Sequence, residues 1–211
     1  MRVYLDVCCL KRPFDDQGQP RMRIESEAVL ALLGAPAEQV ELLHAPAQDL
    51  ENDQNPLAWR AAIVTAWLAV RPAVGLDGGR LASRTDEIIR LGFRGFDALH
   101  LASAELAGRL PHGGRPGSRK GQERRPFHPR ARPGPGDPSR GGLPMTTLIA
   151  DPAELRRRGF LALVEKLGWV NAVQFIRQYE AGQGNYAHDR DVFLPDWDAQ
   201  TLVERAARLN R

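Results

Sequence analysis

Between Gly108 and Pro144 the chain runs almost without aliphatic side chains, and glycine, proline and arginine supply most of its positions. Such a stretch cannot bury enough apolar surface to offset the entropy of ordering it, so it reads as a disordered linker over residues 108–144. A folded structure must then be assembled from what lies on either side, residues 1–107 and residues 145–211. The same stretch carries about a third of the lysine and arginine in a chain whose formal net charge is only +3. The basic balance is therefore local, and it has two readings: contact with RNA phosphates without sequence preference, or incidental charge. Its residue types are those that G- and C-rich codons encode, as expected if a GC-rich gene were read out of frame from about Ala107 or Gly108 onward.

Met1–Asp16, MRVYLDVCCLKRPFDD, opens the first part. Val3, Tyr4 and Leu5 form a β-branched and aromatic run that delivers a carboxylate, Asp6, to a Pro-containing loop bearing Asp15 and Asp16. This is the pattern of a core strand, with Cys8 and Cys9 as buried thiols on it. Two cysteines make neither a disulfide framework nor the four ligands of a structural zinc. Helical spacing follows over Arg23–Leu33, with Ile24, Ala28, Ala31 and Leu32 on the apolar face, and stops at Gly34. Val40–Leu43 reads as a second strand, and a short helix after Pro46 carries Glu51. Pro56 opens a helix through Trp59, Ile63, Trp67 and Leu68, which Arg71-Pro72 ends. Val74–Leu76 is a candidate third strand before the turn Asp77-Gly78-Gly79, Leu81–Leu91 is helical, and a further helix runs from Phe96 to Ala107 with Asp97 at its start. The alternation predicts an α/β domain over residues 1–107, a parallel sheet with helices on its faces.

Past the linker, Thr146–Ala150 is strand-like, and Asp151-Pro152-Ala153-Glu154 sets an N-cap acid, proline at the first helical position and Glu three residues after the cap. Asp151 is read as that cap, with a substitute site acid as the alternative. Three helices follow: one through Leu155, Phe160, Val164 and Leu167, one through Val170, Val173, Ile176 and Tyr179, and one capped by Asp198 with Leu202, Ala206 and Leu209 on one face. Residues 145–211 thus form a small all-α segment. The N-terminal stretch carries Asp6 and Lys11, unlike a signal peptide, and no run reaches membrane-span length. The expectation is a soluble cytoplasmic protein with no membrane partner.

Three acids stand out by position: Asp6 at the end of the first strand, Glu51 after the second, and Asp97 at the start of a later helix. In an open parallel sheet the carboxyl ends of the strands face one crevice, so acids distant in sequence converge there. Two carboxylates about 4 Å apart repel by roughly 4 kcal/mol at an effective dielectric near 20. A bound divalent cation reverses that cost, which points to a magnesium or manganese site able to orient a water against a phosphodiester. The plainer alternative is that each acid is a helix cap or a solvated side chain.

Three pieces, YLDVCCLKRPFDD, DLENDQNP and GFDALHLASAE, give Met1–Ala107 a resemblance to the PIN domain, the nuclease fold of VapC-type toxins. The resemblance implies a three-layer α/β/α sandwich with a central parallel sheet, and a metal-dependent ribonuclease acting on an RNA substrate through a cluster of three or four acids. It assigns metal ligation, with Mg2+ or Mn2+, to Asp6, Glu51 and Asp97. It also implies a toxin–antitoxin system, with an antitoxin in cis or as a separate chain, and a homodimer. The chain departs from the family after Asp-Ala-Leu-His, where a last strand and a further acid give way to the Gly/Pro/Arg stretch, so the domain is incomplete at its C-terminal end. Arg158-Gly159-Phe160, Leu167-Gly168 and Gln178-Tyr179-Glu180-Ala181-Gly182 resemble small helical proteins encoded beside PIN genes, an antitoxin-like segment fused from Met145 onward. The alternative to an enzyme is a non-catalytic fused remnant that acts as a protein-interaction module.

The remaining candidates have plainer readings. His100, one turn after Asp97, is a packed helix histidine without a catalytic role. Asp15 and Asp16 belong to a solvated loop, with an outer-shell role as the alternative. Glu87 and Glu105 are exposed helix residues, and Asp53 points away from the Glu51 face. Arg156-Arg157-Arg158 either reaches an acidic surface on the first part or is solvated.

Overall fold

The computed structural model describes residues 1–71, 73–108, 149 and 151–209. The expected disordered linker over 108–144, apart from Gly108 at a helix end, and most of the strand-like run Thr146–Ala150 lie outside the described residues.

Strand β1 (Arg2–Tyr4) is followed at once by helix α1 (Val7–Lys11) and a 3₁₀ turn over Arg12–Phe14. Asp6 causes the switch, because its side chain accepts a hydrogen bond from the Cys8 backbone N–H at 2.8 Å and so caps α1. Cys8 and Cys9 therefore lie on a helix and not on the expected strand. Helix α2 (Pro20–Leu33) takes proline at its first position. It buries Met22, Ser26, Val29, Leu30 and Leu33, while Ile24 is 69 % exposed, so the face expected from Ile24, Ala28, Ala31 and Leu32 is rotated around the helix. Strand β2 (Glu41–Leu43) pairs with β1 in parallel, Val3 opposite Leu42. Helices α3 (Pro46–Asp53), α4 (Ala58–Leu68), α5 (Gly78–Arg90) and α6 (Gly95–Gly108) complete the first part. The second holds α7 (Pro152–Leu167), α8 (Trp169–Arg177), the single turn α9 (Tyr186–Asp189), a 3₁₀ turn over Arg190–Val192, and α10 (Ala199–Leu209). Asp151 caps α7 through the Ala153 N–H at 2.9 Å, and Asp198 accepts from the Thr201 N–H at 2.7 Å.

This architecture corrects the expected α/β fold. Among the described residues there are ten α-helices and a single two-stranded sheet of three-residue strands, not a three-layer α/β/α sandwich around a central parallel sheet. The physical reason is local. Each candidate strand meets a helix-starting residue within a few positions: Asp6 after β1, Pro46 after β2, and Asp77, which caps α5 through the Arg80 N–H, after Val74–Leu76. The third candidate keeps one trace of pairing, a hydrogen bond from the Val74 N–H to the His44 carbonyl at 2.7 Å, and forms no strand.

Helices pack on helices instead, and both cores draw on both parts of the chain. One gathers Leu10, Phe14, Leu30 and Trp67 with Phe160, Trp169 and Val173. Trp169 meets Phe14 and Phe160 edge-on, at 6.2 and 6.4 Å between ring centroids, and its Nε1–H donates to the Ile63 carbonyl. The other joins Leu50, Leu81, Phe96 and Leu99 to Leu202, Val203 and Ala206 of α10. Burial of Phe160, Trp169, Val173, Leu202 and Val203 contributes at most about 8–15 kcal/mol, at roughly 1.5–3 kcal/mol each. That is comparable with the whole stability of an ordinary domain, about 5–15 kcal/mol.

Candidate functional site

The site forms where three short elements end together. Asp6 sits between β1 and α1, Glu51 lies on α3 with no exposed surface, and Asp97 occupies the first turn of α6. All three converge on one guanidinium, that of Arg190. Its Nη1 donates to both oxygens of Glu51 at 3.1 Å and lies 3.5 Å from Asp6 Oδ1, while its Nη2 is hydrogen-bonded to Asp97. The three acids read from the sequence thus share one cluster, and the sequence reading missed the cation at its centre. Arg190 lies in a polar stretch, His188-Asp189-Arg190-Asp191, with no local pattern to distinguish it.

A second ring of groups fixes Glu51. His100 donates from Nε2 to Glu51 Oε2 at 2.8 Å, and its Nδ1 lies 2.6 Å from the Tyr4 hydroxyl. Burial alone would hold this imidazole neutral, but the Asp6 charge and the Glu51 hydrogen bond outweigh it and raise its pKa. The expected packed helix histidine is therefore a member of the charge cluster. Tyr186 donates its hydroxyl to Glu51 Oε1 at 3.1 Å. Burial also opposes the ionised form of Asp6, but His100, the Cys8 N–H and Arg190 together hold its pKa below the ordinary value.

Lys11 and Asp15 are further residues the sequence reading misjudged or passed over. Lys11 is fully buried; its Nζ has no hydrogen-bond partner among the described residues and lies 3.9 Å from the centroid of the Tyr186 ring. Burial lowers its pKa to about 7. Asp15, expected in a solvated loop, is fully buried because the C-terminal part covers it: it accepts from the Tyr186 backbone N–H at 3.0 Å and from Arg12 at 2.9 Å. Asp16 stays at the surface, with Gly18 N–H on its carboxylate. Asp53 is exposed and accepts from Gln54 Nε2 at 3.3 Å. Glu87 and Glu105 both grip Arg84. Arg157 and Arg158 pair with Glu154 of their own helix, so that run does not reach the acids. Asp151 is engaged as a helix cap.

The donor set has a definite character. One ligand atom each of Asp6, Cys8 and Glu51 lies within 4.8 Å of the others. Burial, reinforced by the Asp6 and Glu51 charges, pushes the Cys8 thiol well above its ordinary pKa. Asp6 and Glu51 supply hard carboxylate oxygens to this set, and Arg190 supplies a positive charge beside them. A cavity of about 480 Å³ opens beside Asp6, Asp97 and His100, walled by Tyr4, Phe93 and Leu101. A second, of about 300 Å³, lies on the Arg190 side of Asp97. Among the described residues no helix is long and apolar enough to cross a membrane. Comparison with protein-family models, with curated proteins and with solved structures finds no match to this chain.

Proposed function

We propose that the chain is a divalent-cation-dependent phosphodiesterase acting on RNA, of the toxin–antitoxin type that its three motifs resemble, seen with its acidic cluster closed by Arg190. The observation that carries this reading is the meeting of Asp6, Glu51 and Asp97, one acid from each motif, around a single positive charge. Asp6, Glu51 and Asp97 would hold Mg2+ or Mn2+ once the guanidinium withdraws. When bound, such a cation orients a water and neutralises charge on the phosphodiester. His100 keeps Glu51 oriented through its 2.8 Å hydrogen bond.

A second reading has its own support. Arg190 and Tyr186 already satisfy Glu51, which is what a structural ion cluster in a non-catalytic, interaction-type remnant of a fused toxin and antitoxin would show. The two separate in an RNA cleavage assay on the purified full chain with Mg2+ or Mn2+. Under the first reading Arg190→Ala cleaves single-stranded RNA, and adding Asp6→Asn to that variant lowers the rate on the order of 100-fold. If folded Arg190→Ala cleaves nothing, the non-catalytic reading stands.

A further inference from the structure

Outside the acidic cluster, a cavity of about 450 Å³ lies at the seam of the two parts, between α4 and the end of α8. Its floor is the Phe14 backbone against Gln183, whose N–H donates to the Phe14 carbonyl at 3.2 Å. Arg60 pins both strands of this floor, with Nη2 donating to the Phe14 and Gln183 carbonyls at 2.9 and 2.8 Å. Arg60 is 7 % exposed and its Nε–H is buried with no hydrogen-bond partner among the described residues. Its lining includes two aromatic side chains beside Phe14: half-buried Trp59, and Tyr179, which is 75 % exposed. At the rim the Arg156 guanidinium lies 4.9 Å from the Trp59 ring centroid and 3.4 Å from Glu180. An exposed ion pair of this kind is held weakly, so Arg156 can exchange Glu180 for another anion at small cost.

Aromatic faces beside a releasable guanidinium are the elements that bind a base and its phosphate together. We infer that this seam cavity binds a nucleoside monophosphate group, the base against Trp59 and Tyr179 and the phosphate on Arg156. The group comes either as a free nucleotide or as one unit of a single strand. The site uses none of the acids of the cluster and stands whether or not the chain cleaves RNA.

The test is titration of the full chain in EDTA, followed by quenching of tryptophan fluorescence, with AMP, a short oligoadenylate, adenosine and inorganic phosphate as separate probes. Trp59→Phe assigns the signal to Trp59, and Tyr179→Ala and Arg156→Ala, both at exposed positions, are checked for folding by circular dichroism. Saturable quenching by AMP or the oligonucleotide is expected, with adenosine and phosphate each weaker by roughly tenfold or more. Tyr179→Ala and Arg156→Ala should each weaken binding by a similar factor. Tighter binding of the oligonucleotide than of AMP assigns the site to single strands; the reverse assigns it to free nucleotides. Absence of quenching by both up to millimolar concentration, or quenching unchanged in the two alanine variants, would overturn the inference.

Discussion

A carboxylate with no exposed surface needs partners, and Glu51 has His100, Tyr186 and Arg190. Removing one member of such a cluster leaves an uncompensated buried charge, so Arg190→Ala should lose about 3–5 kcal/mol of stability in the absence of divalent cations. Lys11 makes a separate prediction. Its pKa near 7 in the folded chain lies below the ordinary lysine value, so folding releases a proton between about pH 7 and pH 10.4. The stability tied to that group is complete above pH 10.4 and is lost as pH falls toward 7. Lys11→Met removes the titration. The variant should be more stable than the wild type at pH 7, by up to about 4 kcal/mol less the lost contact with the Tyr186 ring, and the gap should close toward pH 10. Urea titrations across that range measure it, and a gap that does not change with pH would contradict the assignment.

At the level of elements, the segment that carries Tyr186 and Arg190 is seated by a strap over residues 181–184. Gln17 N–H donates to the Ala181 carbonyl at 2.8 Å and Asp16 N–H to the Gly184 carbonyl at 3.0 Å. Gly182 has φ +75°, and a Cβ there would collide with the Asp15 carbonyl. Gly182→Ala should therefore cost about 2–4 kcal/mol, and by loosening the strap it should expose the acids to cation. Hydrogen exchange at residues 185–192 measures the loosening. Most helices behind this arrangement were readable, because Pro46, Asp151 and Asp198 start helices in the structure as in the sequence. Of the three candidate strands in the first part, two form as the short β1 and β2, and Val74–Leu76 does not, because the Asp77 cap starts α5 directly after it. The acids of the site were legible because their motifs place them at element boundaries. Arg190 and Tyr186 were not, since only tertiary packing brings residues more than 130 positions after Glu51 to its side chain.

For the molecule as a whole, the two parts share both apolar cores and the ion cluster. A chain limited to residues 1–107 should therefore show no cooperative thermal transition by circular dichroism, and supplying residues 145–211 in trans should restore one. The same packing makes Arg190 the point at which the C-terminal part meets the acids. Under the proposed function these acids form a cation site closed by that guanidinium. Its most direct measurement is the thermal midpoint of Arg190→Ala in EDTA and in excess Mg2+ or Mn2+, beside wild type and the Asp6→Asn/Arg190→Ala double variant. Cation at about 100 times its dissociation constant should restore roughly 2.7 kcal/mol to Arg190→Ala, with little effect on the other two. A midpoint of Arg190→Ala that ignores cation, or a rise that survives Asp6→Asn, would contradict it.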